Sequence, residues 1–134
     1  MRSDIREGDS YTLERLVEEK YCTQRGEYRI FSTPDLVLLL EETAMEALAP
    51  RLSDGQSSVG SKVEVAHVAP TLLGQRVWCT ATVTLVDRRR VVFDIEARDD
   101  IETIATGTHE RFVVDLDRFS DRLAEKSSAI AQTA

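Results

Sequence analysis

The chain changes its hydrophobic rhythm once, and that change divides it. Ser10–Cys22, with Tyr, Thr, Leu and Val spread through it, reads as a first strand with ragged ends. Thr23–Ser32 reads as a polar connection containing Gly26. The clearest helix start follows: Thr33 as N-cap, Pro34 at the first helical position and Asp35 in the first turn. The helix is expected to run to about Ala49, where Pro50 and the cluster Ser53-Asp54-Gly55 stop it. Beyond this point the apolar spacing falls from 3.6 to 2 and stays there. Ser58–Val68, Gln75–Asp87, Arg89–Asp99 and Thr103–Asp115 all read as strands rich in Val, Thr and Ile. Polar, hairpin-sized turns separate the last three. From Leu116 a short polar helix is expected, with Ser127–Ala134 disordered.

This order predicts an α+β fold: a five-stranded antiparallel sheet wrapped around one long central helix, because the sheet's apolar face needs a cover and one helix is available. A chain of 134 residues is expected to be a single domain, with its core at about 8–118 and a polar tail at 119–134.

Composition then removes function classes. With 42% apolar and 31% charged residues the chain reads as soluble and globular. Its longest apolar run, Leu36 to Leu40, is far short of the ~20 residues of a membrane span. A net charge of −7 argues against nucleic acid, which needs a basic face. The opening residues Met1 to Glu7 lack the apolar segment of a signal peptide, and Cys22 and Cys79 are too few for a disulfide framework; both point to the cytoplasm. His67 and His109 lie 42 residues apart without metal-ligand spacing, and no phosphate loop or serine elbow is present.

A few polar residues break the local pattern. With Glu41 at zero on the helical wheel, Val37 and Met45 lie about 40° to either side, Leu48 about 20° away, and Leu38 and Ala44 about 60° away. Glu41 thus occupies the middle of an apolar stripe, whereas Asp35, Glu42 and Glu46 fall on a polar flank. A carboxylate there is either a structural ion pair or a functional group. In the next strand, alternation places His67 on the face of Val59, Ser61, Val63 and Val65, as a core histidine or a site residue at the edge of a loop. Thr33 is explained by capping, although its hydroxyl would stand at the positive end of the helix dipole. Gly60 marks a bulge or a backbone amide left open to a ligand. Arg111 is a surface ion pair or an anion clamp. The Arg88-Arg89-Arg90 turn reads as a solvated hairpin tip or a phosphate contact.

The same positions carry a resemblance. Phe31-Ser32-Thr33-Pro34-Asp35-Leu36-Val37 through Glu41-Glu42-Thr43-Ala44, Val59-Gly60-Ser61 through His67-Val68-Ala69-Pro70-Thr71, and Gly107-Thr108-His109-Glu110-Arg111-Phe112 resemble the fluoroacetyl-CoA thioesterase family across about residues 8–120. The resemblance implies a hotdog domain that works as a homodimer and hydrolyses a small acyl-CoA thioester without metal or organic cofactor. It implies Thr33, Glu41 and His67 as catalytic residues, and Gly60 and Arg111 as substrate-binding ones. The stretch Tyr21–Ile30 departs from the family's Phe- and Pro-rich lid, so a different acyl preference is expected.

Thr33 and Glu41 stand about 12 Å apart along a helix axis at 1.5 Å per residue, which predicts sites assembled from both subunits of a dimer. Dimer and tetramer both remain open. A non-catalytic module that binds or senses acyl-CoA is the alternative, against which a carboxylate on an apolar helix face argues.

Overall fold

A computed structural model describes residues 5–133. Its elements are β1 (Ser10–Leu16), β2 (Cys22–Arg25), β3 (Tyr28–Phe31), α1 (Thr33–Leu48), β4 (Gln56–His67), β5 (Arg76–Asp87), β6 (Arg90–Arg98), β7 (Thr103–Asp115) and α2 (Leu116–Thr133). Short 3-10 turns precede β2 and follow α1. Five strands form one antiparallel sheet in the order β1-β5-β6-β7-β4, wrapped around α1 as expected. The core lies between them. Leu36, Leu39, Leu40, Ala44 and Leu48 of α1 meet Val77, Cys79 and Ala81 of β5, Val91, Phe93 and Ile95 of β6, and Val113 of β7. Burying each large aliphatic side chain contributes roughly 1.5–3 kcal/mol.

The structure corrects four expectations. The first strand ends at Leu16, and 22–31 is a separate two-stranded hairpin, β2–β3, turning at Gly26 with φ +60°. The N-cap is Ser32, one residue earlier than expected: its hydroxyl accepts from the Asp35 N–H at 3.1 Å and donates to the Asp35 carboxylate. Thr33 is therefore released from capping. Residues 127–133 continue α2 and are helical. Finally, α1 is rotated from the expected phase, since Leu36, Leu39, Leu40 and Thr43 define its buried face. Glu41 stands at the edge of that face, half-buried, with Leu38 and Met45 exposed beside it. Arg15 of β1 meets Glu42 at 3.1 Å and the Tyr11 hydroxyl meets Glu46 at 3.1 Å, fixing the polar flank of the helix to β1.

Strand β4 departs from strict alternation. Gly60 pairs with Arg111 and Lys62 with Glu110, so Ser61 is an extra residue in a bulge. The bulge reverses the side-chain parity. Upstream of it Ser58 and Gly60 face inward; Val59, expected on the face of His67, pairs instead with the exposed Phe112. Downstream, Val63, Val65 and His67 share one face, as alternation predicts.

Candidate active site

The expected site residues gather in two places. The first lies where α1 begins. Released from capping, the Thr33 hydroxyl is 2.8 Å from Nδ1 of His67 at the end of β4. The other ring nitrogen, Nε2, is buried without a hydrogen-bond partner among the described residues. Burial pushes the His67 pKa below its ordinary value, against a smaller opposing contribution from the Ala69 backbone. The ring is therefore neutral at neutral pH, with Nε2 the nitrogen that no group among the described residues engages. Both side chains line a cavity of about 460 Å³, whose other walls include Thr23, Arg25 and Ile30 of the hairpin and Pro70.

The second place is the middle of α1, against β4 and β7. Here Oε2 of Glu41 lies 3.9 Å from Nη1 of Arg111, a charge contact beyond hydrogen-bond length. Arg111 is buried, with 5% of its surface exposed. Its Nε donates to the Ser58 hydroxyl at 2.9 Å and its Nη2 to the Ser58 carbonyl at 3.0 Å. Burial lowers the Arg111 pKa and Glu41 opposes that shift. Gly60 lets Glu41 and Arg111 approach closely: a Cβ there would stand 3.1 Å from Glu41 Oε2 and 3.3 Å from Arg111 Nη1.

Within one chain these places do not merge. His67 lies seven positions along the strand from Gly60, which is beside Glu41, on the order of 20 Å at about 3.3 Å per residue. Thr33 and His67 are together; Glu41, Gly60 and Arg111 are together; the chain does not bring the two sets into contact. The sequence did not single out Ser58 or His109 as members of the second set. Their signal was positional: His109 lies two residues before Arg111, and Ser58 two before Gly60, each on the same inward face.

The arginine turn has a structural explanation. Arg89 pairs with Asp115 at 3.0 Å and Arg90 with Glu110 at 2.7 Å, both on β7. Cys22 and Cys79 are free thiols, half-buried and buried. Among the described residues no cluster of three His, Cys, Asp or Glu could hold a metal ion, and no helix is long and apolar enough to cross a membrane.

Comparison with known proteins identifies the family and the fold. Residues 13–117 match the fluoroacetyl-CoA-specific thioesterase family. The chain is 36% identical over 100 residues to the fluoroacetyl-CoA thioesterase of Streptantibioticus cattleyicolor, covering 75% of this chain and 72% of that protein. It superposes on the crystal structure of a point mutant of the fluoroacetyl-CoA-specific thioesterase with a TM-score of 0.85 at 29% identity, covering 93% and 99% of the two chains. A hot-dog-like protein from Thermanaerovibrio acidaminovorans gives 0.83 at 31% identity, with 90% and 91% covered. The chain has the hotdog fold and belongs to the fluoroacetyl-CoA-specific thioesterase family.

Proposed function

We propose that this chain hydrolyses a short acyl-CoA thioester to the free acid and coenzyme A, with Thr33, Glu41 and His67 as the reacting groups. The observation that carries the reading is the Thr33–His67 hydrogen bond at the wall of the cavity, with Nε2 buried and unpartnered. The family and the relatives support the reaction class, and a mutant of the related thioesterase has been solved with fluoroacetate and CoA.

Chemistry assigns the steps. With the Thr33 hydroxyl donating to Nδ1, the ring proton of neutral His67 resides on Nε2. Glu41 takes a proton from water as the water oxygen attacks the thioester carbonyl carbon. The C–S bond then breaks while His67 Nε2–H hydrogen-bonds the departing sulfur, and the proton that Glu41 took from water passes to the thiolate, which resets the site. The Gly60 amide stabilises the carbonyl oxygen as it gains charge, and Arg111 holds the Glu41 side of the site.

This sequence of steps needs Glu41 close to a Thr33–His67 pair, which a homodimer supplies. Leu38 and Met45, exposed beside Glu41, and the free long edge of β4 offer an apolar helix face and a strand edge for a second copy. The site then draws Glu41 from one subunit and Thr33 and His67 from the other. The catalytic unit is the single domain of about residues 8–118, acting in the cytoplasm, where CoA esters are held. Its hairpin wall of Thr23, Arg25 and Ile30 selects an acyl group other than fluoroacetate.

Thiol release from acetyl-, fluoroacetyl-, propionyl-, malonyl- and phenylacetyl-CoA tests the reading. One ester should be turned over well, with turnover falling roughly 10²-fold or more in Glu41→Gln, the usual worth of a positioned acid–base group. Tight CoA-ester binding without thiol release, equal in both proteins, would replace the enzyme with an acyl-CoA-binding module.

A further inference from the structure

One buried polar side chain beside the second cluster is not used by the mechanism. His109, 1% exposed, sits in the middle of β7 on the face that looks toward α1, with the Phe93 ring stacked at 6.3 Å between centroids. Its two nitrogens have partners that dictate its protonation. Nδ1 is 2.8 Å from the Lys62 carbonyl oxygen, next to the β4 bulge. A carbonyl only accepts, so Nδ1 carries the ring proton. Nε2 is 3.3 Å from Arg111 Nη1, and a guanidinium only donates, so Nε2 is the acceptor. Both contacts are satisfied by the neutral ring alone. Its pKa is lowered, first by burial and also by Arg111, while the Lys62 carbonyl, Glu41 and Glu110 act in the opposite direction.

The guanidinium is thereby held on three sides: Nε and Nη2 by Ser58, and Nη1 by His109. The Nη1 that His109 holds is the same atom that lies 3.9 Å from Glu41 Oε2. A buried arginine this near an unrestrained carboxylate would ordinarily close to a charge-assisted hydrogen bond of about 2.8 Å. Here it stays about an ångström short.

We propose that His109 is a positioning residue that holds Arg111 back from Glu41. The positive charge remains beside the carboxylate while the carboxylate stays free to meet water and take its proton. Without the Nε2 acceptor, Nη1 turns to Glu41, and the resulting ion pair immobilises the group the reaction needs. This rests on Glu41 acting as the base, and the experiment separates the two claims.

His109→Phe keeps the aromatic ring and removes the acceptor; His109→Gln restores an acceptor amide; Ser58→Ala removes the acceptor on Nε while the Ser58 backbone carbonyl still holds Nη2, and is the variant least disposed to disturb folding. Steady-state thiol release on the best acyl-CoA ester, with Glu41→Gln alongside, reads the effect on rate. Crystal structures of His109→Phe and Ser58→Ala read the Arg111–Glu41 distance. We expect kcat to fall roughly 10-fold in His109→Phe with KM within about twofold, a smaller fall in the same direction in Ser58→Ala, and recovery to within about threefold of wild type in His109→Gln. The Nη1–Oε2 distance should close to hydrogen-bond length in His109→Phe. Unchanged kcat in both His109→Phe and Ser58→Ala, equal losses in His109→Phe and His109→Gln, or an Arg111 that stays in place would each overturn the proposal. Full activity in Glu41→Gln would instead remove Glu41 from the mechanism, while the Arg111–Glu41 distance would still decide what His109 does.

Discussion

The protein has two histidines, and their contrast separates reaction from support. Both lie on the inward side of adjacent strands, and burial pushes both below the ordinary histidine pKa. His67 is half-buried at the end of β4, makes one side-chain hydrogen bond and leaves Nε2 without a partner beside a cavity. His109 is in mid-strand, sealed in, with both nitrogens engaged. A ring meant to pass protons needs one idle nitrogen and a cavity at its side. A ring meant to hold a neighbour needs none idle and no cavity. The orphaned atom, more than burial, tells the two apart.

The largest break in this comparison comes from His67→Ala. Thiol release should fall by 10²- to 10⁴-fold, the usual range for a positioned general acid or base, with thermal stability little changed. A loss of less than about tenfold would assign the proton to another group. Next comes complementation. Glu41→Gln and His67→Ala, each inactive alone, should recover about a quarter of wild-type activity when dissociated and reassembled in equal amounts, because half of the two-fold dimers then carry one intact site. Failure of the mixture to gain activity would place all three reacting groups in one subunit.

Gly60→Ala sharpens the second cluster. The new methyl meets Glu41 at 3.1 Å and Arg111 at 3.3 Å, so the carboxylate must move by a few tenths of an ångström. We expect a roughly tenfold fall in kcat, since small misplacements of reacting groups are costly, and a crystal structure should show Glu41 shifted. Unaltered kcat would show that Glu41 tolerates displacement. The pH profile of kcat/KM gives a smaller effect. His67 must be neutral for Nδ1 to accept from Thr33, and its pKa is lowered. Activity should therefore hold above the usual histidine value of about 6.5 and be lost only as pH falls through the lower one. An acid limb at or above the usual value would belong to a different group. The smallest effect on activity is expected of Ser32→Ala. Loss of the cap should cost about 1 kcal/mol of stability in chemical denaturation and leave kcat within about twofold. A large fall in kcat would tie the cap to the orientation of Thr33.

Much of the fold was legible because period and punctuation agreed. The switch from helical to strand spacing after Pro50, and the polar turns between strands, gave the sheet and its covering helix. The errors have physical causes. Leu36 to Leu40 are all apolar, so α1 has two hydrophobic faces, and a wheel centred on Glu41 merged them. The structure buries Leu36, Leu39 and Leu40 and leaves Leu38 outward. The inserted Ser61 reversed the parity upstream of it, and periodicity alone does not show where a bulge falls, although Gly60 marked the neighbourhood. The hairpin β2–β3 has only four residues per strand, too few for alternation to stand out from a polar loop. In α2, the spacing of Leu116, Phe119, Leu123 and Ile130 is helical, but the Ala- and Ser-rich end hid it. At the site, Glu41 and His67 stood out because each is polar on an apolar background. Ser58 and His109 did not, because their roles depend on which atoms face Arg111, and register decides that.

The hairpin's attachment has a consequence for how such an enzyme diversifies. It belongs to no part of the main sheet and joins the body through the loop after His67: Phe31 N–H donates to the Thr71 carbonyl and Leu73 N–H to the Arg29 carbonyl, and the pair forms the bridge between Ile30 and Leu72. Both links run through backbone atoms, so replacement of Thr23 or Arg25 leaves them in place. The lineage can thus rewrite one wall of the cavity while the sheet, the helix and the proton-handling groups are inherited intact.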